Sequence, residues 1–257
     1  MPNAAPPGYR PPPAVAAPAE LVSIIIPTCN EAVGLPGLLG HLRRAGATPG
    51  AGVEIIVADG GSTDATARLA RQAGARVLAC PTRGRAAQLN YGARHATGGI
   101  LYFLHADSCP PPGFVAAVRA AVAGGYGSGC FRLAFDLPHW FLRANAWFTR
   151  FDVPLFRFGD QSLFVTRAAF ARAGGYREDF ALLEDQELAR QLRRHARFRV
   201  LPGPIVTSAR KYRRNGVFRL QGAFYLLTLL YRLGVSQAGL RRVYQALIRP
   251  DAPAGGS

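Results

Sequence analysis

Apolar residues in this chain gather in short runs, and between the runs they recur at helical spacing. The runs at 21–26, 53–58, 76–79 and 100–104 are rich in valine, isoleucine and leucine, which fits strands buried on both faces. Pro27 ends the first run, since proline cannot donate to a strand ladder. Helical patterns lie between the runs. One leads from the polar turn Thr28-Cys29-Asn30-Glu31 to about residue 45, one follows Thr63 to about 73, and one covers 83–96. Strands alternating with helices predict βαβ units, and so a parallel sheet with right-handed crossovers. Several strands end on polar residues: Thr28 and Asn30, then Asp59, then His105 and Asp107. In an open α/β sheet that carboxyl edge is where ligands sit.

Beyond Pro110-Pro111-Pro112 the pattern is mixed. A partly exposed strand is expected over 130–135, an aromatic helix carrying Trp140 and Trp147 over 137–151, and another strand over 161–166. Residues 183–197 read as a helix with acids first and arginines last, which complements the helix dipole. The stretch 216–233 is apolar and aromatic but broken by Arg219, Gln221 and Arg232. It is too polar to cross a bilayer and apolar enough to lie on one. Residues 1–20 are Pro- and Ala-rich and predict a disordered or polyproline-like tail. The expected organisation is that tail, one α/β domain over 21–210, and a basic, apolar helical segment over 211–257.

Composition narrows the classes. With 257 residues, 49% hydrophobic and 18% charged, the chain suits a globular protein. A net charge of +16 favours phosphate-bearing partners: nucleotides, nucleic acid or anionic lipid. The four cysteines are scattered without metal-ligand spacing, as reduced cytosolic thiols would be. The amino terminus lacks the order of a signal peptide, and no uncharged apolar run reaches about 18 residues. These features predict a cytoplasmic protein in peripheral contact with the membrane face.

Five clusters could carry chemistry. Asp59, followed by Gly60-Gly61-Ser62-Thr63-Asp64, could accept hydrogen bonds from a nucleotide's base or ribose, or simply start a turn. Arg83-Gly84-Arg85 opens a helix with two guanidinium groups at its positive end, which strengthens an anion site at a cost in helix stability. Asp107 could hold a hard divalent cation if substrate phosphates complete the shell, or could cap the helix after Pro112. His105 beside it could be a ligand, a donor or a packed residue. Glu184-Asp185 suits the first turn of a helix, and could instead supply a general base if burial raises its pKa. The basic run Arg210-Lys211-Tyr212-Arg213-Arg214 could close over a diphosphate, grip nucleic acid or sit on lipid headgroups.

Taken in order, several segments resemble the family 2 glycosyltransferases of GT-A fold over roughly residues 21–214. They are Val22-Ser23-Ile24-Ile25-Ile26-Pro27-Thr28-Cys29-Asn30-Glu31, Asp59-Gly60-Gly61-Ser62-Thr63-Asp64, Gly84-Arg85-Ala86-Ala87-Gln88-Leu89-Asn90, His105-Ala106-Asp107, Gly159-Asp160-Gln161 and Glu184-Asp185. Within that family the chain is similar to the radical-SAM/selenodomain-associated branch, related to sugar transferases acting on carotenoid-like lipids. The resemblance implies a Rossmann-like mixed sheet flanked by helices, with a C-terminal helical extension.

It also implies that Pro27, Thr28, Asn30, Glu31, Asp59, Gly61, Gln88, Asn90 and Ala106 bind the donor, with Asp59 on uracil or an equivalent base. Arg85 would approach the diphosphate, and Asp107 would hold Mg²⁺ or Mn²⁺. Asp185, beside Glu184, would deprotonate the acceptor hydroxyl. His105, Asp160, Gln161, Arg210 and Arg213 would stand on the diphosphate and acceptor side. The implied reaction is inverting transfer of one sugar from a nucleotide sugar, with UDP as the expected carrier, to a hydroxyl-bearing, lipid-type acceptor.

The chain departs from the pattern at Gly60, where a second Asp is common, and at His105, where the first Asp of a DxD motif is usual. It also lacks the QxxRW motif of processive synthases. A nucleotidyltransferase would open its sheet with a Gly-rich loop in place of Ile26-Pro27-Thr28-Cys29-Asn30-Glu31. A nucleic-acid-binding module would explain the charge but not acids at successive strand ends, which repel a phosphate backbone. No nucleic-acid partner is therefore expected.

Overall fold

The structure is a computed structural model that describes residues 19–47, 51–152 and 159–249. Most of the expected N-terminal tail, and the chain beyond residue 249, lie outside the described residues.

Strands β1 (Val22–Thr28), β2 (Val53–Asp59), β3 (Arg76–Ala79) and β4 (Ile100–Phe103) run parallel in the order β3-β2-β1-β4. They alternate with helices α1 (Leu35–Arg44), α2 (Thr66–Gln72) and α3 (Arg85–His95), as the hydrophobic pattern predicts. Both faces of β1 are buried, which explains its unbroken apolar run. Ile24 and Ile26 join one core layer with Leu35 and Leu39 of α1, and Ile25 joins the other with Leu89 of α3.

Pro27 does not end the first strand, which continues to Thr28 and pairs Thr28 with Asp59. The carbonyl of Ile25 accepts from Leu104 at 3.0 Å, and the β4 ladder stops there. The proline therefore lies past the last place on that side where a donor is needed.

The sheet is mixed rather than wholly parallel. Past β4 the order is β7 (Leu163–Thr166), β6 (Ser128–Phe135), β8 (Phe198–Thr207) and β5 (Ser108–Cys109). Strand β7 is antiparallel to both β4 and β6, β8 is parallel to β6, and β5 is antiparallel to β8. Reversing β7 brings the 3₁₀ turn Gly159–Gln161 that precedes it to the carboxyl edge of β4, beside His105 and Asp107. Gln161 belongs to that turn and not to the strand expected from 161.

Helix α4 (Phe114–Ala123) covers the first core layer, while α6 (Arg167–Arg172) and α7 (Glu184–Leu192) cover the second. The expected aromatic helix is α5 (Trp140–Phe148). The described part of the C-terminal region forms α8 (Arg210–Asn215), α9 (Val217–Arg232) and α10 (Gln237–Leu247). Leu142 of α5 is buried with Ala209, Leu220, Leu227 and Leu240, so these C-terminal helices pack on α5 as a third core.

Candidate active site

The β1–β2 register sets Thr28 beside Asp59 at the carboxyl edge. Asp59 is 6% exposed and organises the turn that follows it. One oxygen accepts from the Ser62 amide at 3.0 Å, the other from the Thr28 hydroxyl at 3.3 Å and from the Ser62 hydroxyl. Gly61 takes φ +86°, which glycine adopts without strain. Asn30 ties the β1 loop to the same turn: its amide donates to Ser62 Oγ at 2.9 Å and its Oδ1 accepts from the Thr63 amide at 2.8 Å. The Glu31 amide donates to Thr66 Oγ1 at 2.8 Å. The turn-forming reading of Asp59 is thus met, and the same bonds hold its carboxylate fixed at the sheet's mouth.

Two residues implied as donor contacts lie inside the scaffold instead. Gln88 Nε2 donates to the carbonyls of Thr28 and Ala58, both at 2.8 Å, and so clamps the ends of β1 and β2. A Cβ on Gly60 would meet the Gln88 amide at 2.9 Å, so the glycine leaves room for that clamp. Asn90 is 1% exposed; it donates to the Tyr176 carbonyl at 2.8 Å and accepts from the Tyr176 amide at 2.9 Å. Gln161 likewise braces β6 by donating to the Phe131 carbonyl at 3.2 Å. Ala106 is half-buried against the first core, and Arg213 is tied to Asp136 at 3.2 Å.

The ionic groups converge a short way along the edge. Arg85, following Gly84 at the start of α3, pairs with Glu184 and, at 3.2 Å, with Asp185. Burial works against its charge, but Glu184 and Asp185 outweigh that and hold its pKa above the ordinary value. Glu184 is 2% exposed, and its Oε2 has no hydrogen-bond partner among the described residues. Burial raises the Asp185 pKa, against the pull of Arg85, and neighbouring Glu184 adds to the rise.

His105 Nδ1 lies 3.3 Å from Asp160 Oδ1. Burial and Arg85 oppose protonation of His105, yet the bond to Asp160 and the charge of Asp185 raise its pKa overall. Burial disfavours the Asp160 anion, but His105, Lys211 and Arg85 bring its pKa down to about 2. Asp107 is raised by burial and by Asp160. Arg210 spans from Glu31, at 3.1 Å, to Asp107, at 3.7 Å, and so links the β1–α1 loop to the ionic cluster.

These groups open on one cavity of about 260 Å³. Its lining brings Arg85, Asp107, Asp160, Asp185 and Lys211 together with Leu133, Phe135, Phe224, Leu227 and Tyr244, and with polar Asn145, Gln221 and Thr228. A smaller void of about 30 Å³ lies behind, between His105, Tyr176 and Asp185. The Tyr176 hydroxyl is buried beside Asp185, and burial followed by the charge of Asp185 and Glu184 raises its pKa.

Among the described residues, three non-glycines adopt left-handed φ: Asn30, Ser162 and Leu183. Each adjoins this site, and such conformations cost of order 1–3 kcal/mol and persist where surrounding structure enforces them. Sequence reasoning missed Tyr176, Ser162 and Leu183, and did not single out Lys211 within its basic run.

Among the described residues no group of three or more His, Cys, Asp or Glu side chains could hold a metal ion alone. Asp107 and Asp160 nevertheless face one cavity and repel each other, as the raised pKa of Asp107 records. Hard oxygens under mutual repulsion suit Mg²⁺ or Mn²⁺ held by one or two carboxylates with the remaining ligands from phosphate and water.

Residues 23–170, more than half of the chain, match the family described as Glycosyl transferase family 2. Undecaprenyl-phosphate 4-deoxy-4-formamido-L-arabinose transferase of Klebsiella pneumoniae subsp. pneumoniae is 34% identical over 116 residues, covering 42% of this chain and 36% of that protein. The enzyme of the same name from Pseudomonas aeruginosa is 32% identical over 116 residues, covering 42% and 34%. The chain thus spans about a third of the length of these curated relatives. Mannosyltransferase PcManGT from Pyrobaculum calidifontis, solved with GDP-Man and Mn²⁺, superposes with a TM-score of 0.65 at 23% identity, covering 91% of this chain and 73% of that one. Glucosyl-3-phosphoglycerate synthase from Mycobacterium tuberculosis, solved with Mn²⁺, UDP and glucosyl-3-phosphoglycerate, gives 0.57 at 19%, covering 87% and 82%. These likenesses establish the GT-A fold.

Proposed function

The chain belongs to glycosyl transferase family 2, and we propose that it moves one sugar from a nucleoside-diphosphate donor to the hydroxyl of an apolar, lipid-type acceptor, inverting the anomeric carbon. One observation carries this reading: a single cavity is lined both by the carboxylate and arginine cluster and by apolar side chains of β6, α9 and α10. The acceptor's apolar body lies along Leu133, Phe224 and Leu227 with its hydroxyl toward Asp185. Asp185 takes the hydroxyl proton, a role that suits a carboxylate whose pKa is raised by burial. The acceptor oxygen bonds to the anomeric carbon as the bond to the diphosphate breaks on the opposite face, and the electron pair leaves on the diphosphate.

Arg85 and Lys211 meet that growing negative charge. A divalent cation held by Asp107, with Asp160 facing the same cavity, would neutralise the leaving diphosphate further. Mn²⁺ in two of the superposed structures supports this assignment. The Asp59 turn, fixed by Ser62 and Thr28, receives the base, with uridine the base that the family resemblance implies. Within the family, the reading extends to the radical-SAM/selenodomain-associated branch, which the sequence resembles.

A lipid-phosphate acceptor is the second reading. It is favoured by the undecaprenyl-phosphate named for the curated relatives and by Lys211 in the cavity wall. A phosphate is already ionised and needs no base. The test supplies UDP- and GDP-sugars with a polyprenol or a polyprenyl phosphate, with and without Mn²⁺, and identifies products by mass spectrometry. A glycosylated alcohol is expected. Product on the phosphate alone establishes the second reading, and donors left intact in every mixture refute both.

A further inference from the structure

Among the described residues, most exposed large apolar side chains lie on or next to α5 and α9, with Val33 and Val206 elsewhere. On α9, Phe218, Tyr225, Leu226 and Leu229 are 58%, 41%, 40% and 54% exposed, and Leu233 just past its end is 71% exposed. Their spacing puts them on one stripe of the helix, opposite Leu220, Ala223 and Leu227, which are buried. Beside them α5 exposes Trp140 at 67% and Trp147 at 46%. The two helices touch, with the Phe218 ring 6.1 Å from Trp140 and the Tyr225 hydroxyl bonded to Asn145. Scattered exposed apolar residues need no explanation, whereas a continuous patch marks an interaction surface.

Charge identifies what covers it. Beyond the basic run 210–214, residues 216–249 contain five arginines and no acidic residue. Arg219 adjoins Phe218, Arg232 adjoins Leu233, and the Arg150 guanidinium lies 4.3 Å from the Trp147 ring centre. Two copies of so basic a face would repel each other across a two-fold contact. An anionic bilayer suits it: apolar residues enter the acyl boundary, tryptophan and tyrosine rings sit at headgroup depth, and arginines meet lipid phosphates. The face is also continuous with the active-site cavity. A groove beside Arg143, Trp147 and Arg150 shares Leu133, Phe135 and Ala146 with that cavity.

We infer that the α5–α9 face docks on anionic membrane, and that the groove between β6 and α5 is the portal through which an acceptor presents its hydroxyl while its tail stays in the bilayer. The portal rests on the lipid-acceptor reading above; the docking face does not.

Trp140 and Trp147 are the chain's two tryptophans, so intrinsic fluorescence reports this face directly. The full chain is mixed with phosphatidylcholine vesicles carrying brominated acyl chains, with and without phosphatidylglycerol, and the same mixtures are floated on a density gradient. The expected result is flotation, a blue shift and quenching with the anionic vesicles, all weakened by salt. Replacing Arg219 by glutamine lowers partitioning about fivefold, the effect of one arginine at an anionic surface. The exposed double variant Leu229→Ser/Leu233→Ser leaves the vesicles but still glycosylates a short water-soluble alcohol.

Flotation without quenching assigns docking to another face and overturns the inference, as does absence of flotation. A concentration-dependent dimer whose emission is already blue and ignores lipid shows that a second copy covers the face, and also overturns it. Quenching with transfer to neither soluble nor embedded alcohols keeps the docking face and removes the portal together with the acceptor reading.

Discussion

Replacing Arg85 with alanine strands Glu184. That carboxylate is 2% exposed, Arg85 is its ion-pair partner, and its second oxygen has no hydrogen bond among the described residues. Breaking a buried ion pair from one side costs about 3–5 kcal/mol, because a desolvated charge is left behind. The Arg85 side chain is 43% exposed, so water reaches part of the pair and the value falls to the lower end, about 3 kcal/mol. Against a total stability of about 5–15 kcal/mol this is large, and for a chain of this size it lowers Tm by roughly 10 °C.

The double variant Arg85→Ala/Glu184→Gln removes the stranded charge and recovers most of the loss. Urea unfolding at fixed pH, followed by circular dichroism, measures all three proteins. Donor binding gives an independent readout, since both variants lack the guanidinium assigned to the diphosphate and both bind it weakly. A single variant less than about 1 kcal/mol below wild type, or a double variant no more stable than the single, would show that the pair does not carry a buried charge.

Asp185→Asn lowers the transfer rate about 10²–10⁴-fold, the usual contribution of a general base, and leaves donor affinity by calorimetry unchanged; equal loss of both in a folded variant refutes the role. Asp107→Ala removes the stimulation of donor binding by Mn²⁺, and calorimetry that finds the stimulation intact excludes Asp107 as a ligand. The His105–Asp160 pair makes stability depend on pH at both ends. Asp160, lowered to about 2, contributes stability that is present above its ordinary value of 3.8 and lost as pH falls through about 2. His105, raised, contributes stability that is complete below 6.5 and lost as pH rises through its folded pKa. His105→Gln flattens the alkaline side of a Tm–pH profile, and an unchanged slope there would rule the pair out. Gly60→Ala drives a methyl into the Gln88 amide, which must give up its bonds to Thr28 and Ala58; urea unfolding should show a cost of about 1–3 kcal/mol, and wild-type stability would mean the clamp moves freely.

The parallel half of the sheet was legible because β1, β2 and β4 are buried on both faces, and burial is what an apolar run reports. Asp59 and Asp107 were legible because a polar residue at the end of such a run has few places to go but the sheet's mouth, and Arg85 because it opens a helix there. The direction in which a polar side chain points was not legible. Gln88 and Asn90 sit on α3 with Arg85, yet they face β1, β2 and the Tyr176 backbone. Pro27 read as a stop because the sequence does not show that its β4 neighbour has already ended. Tyr176 became part of the site only through tertiary packing, and the cavity's apolar walls come from α9 and α10, whose residues read locally as surface helix. Each of these outcomes depends on contacts between residues far apart in the chain.

The change of strand direction between β4 and β7 divides labour across the sheet. The handholds proposed for the donor, Asp59, Arg85 and Asp107, are set by the parallel strands and the helix packed on them. The greasy walls hang from β6, α5, α9 and α10 on the far side. Changes to the far walls can therefore alter which molecule fits the cavity while Asp59, Arg85 and Asp107 keep their places on the parallel half.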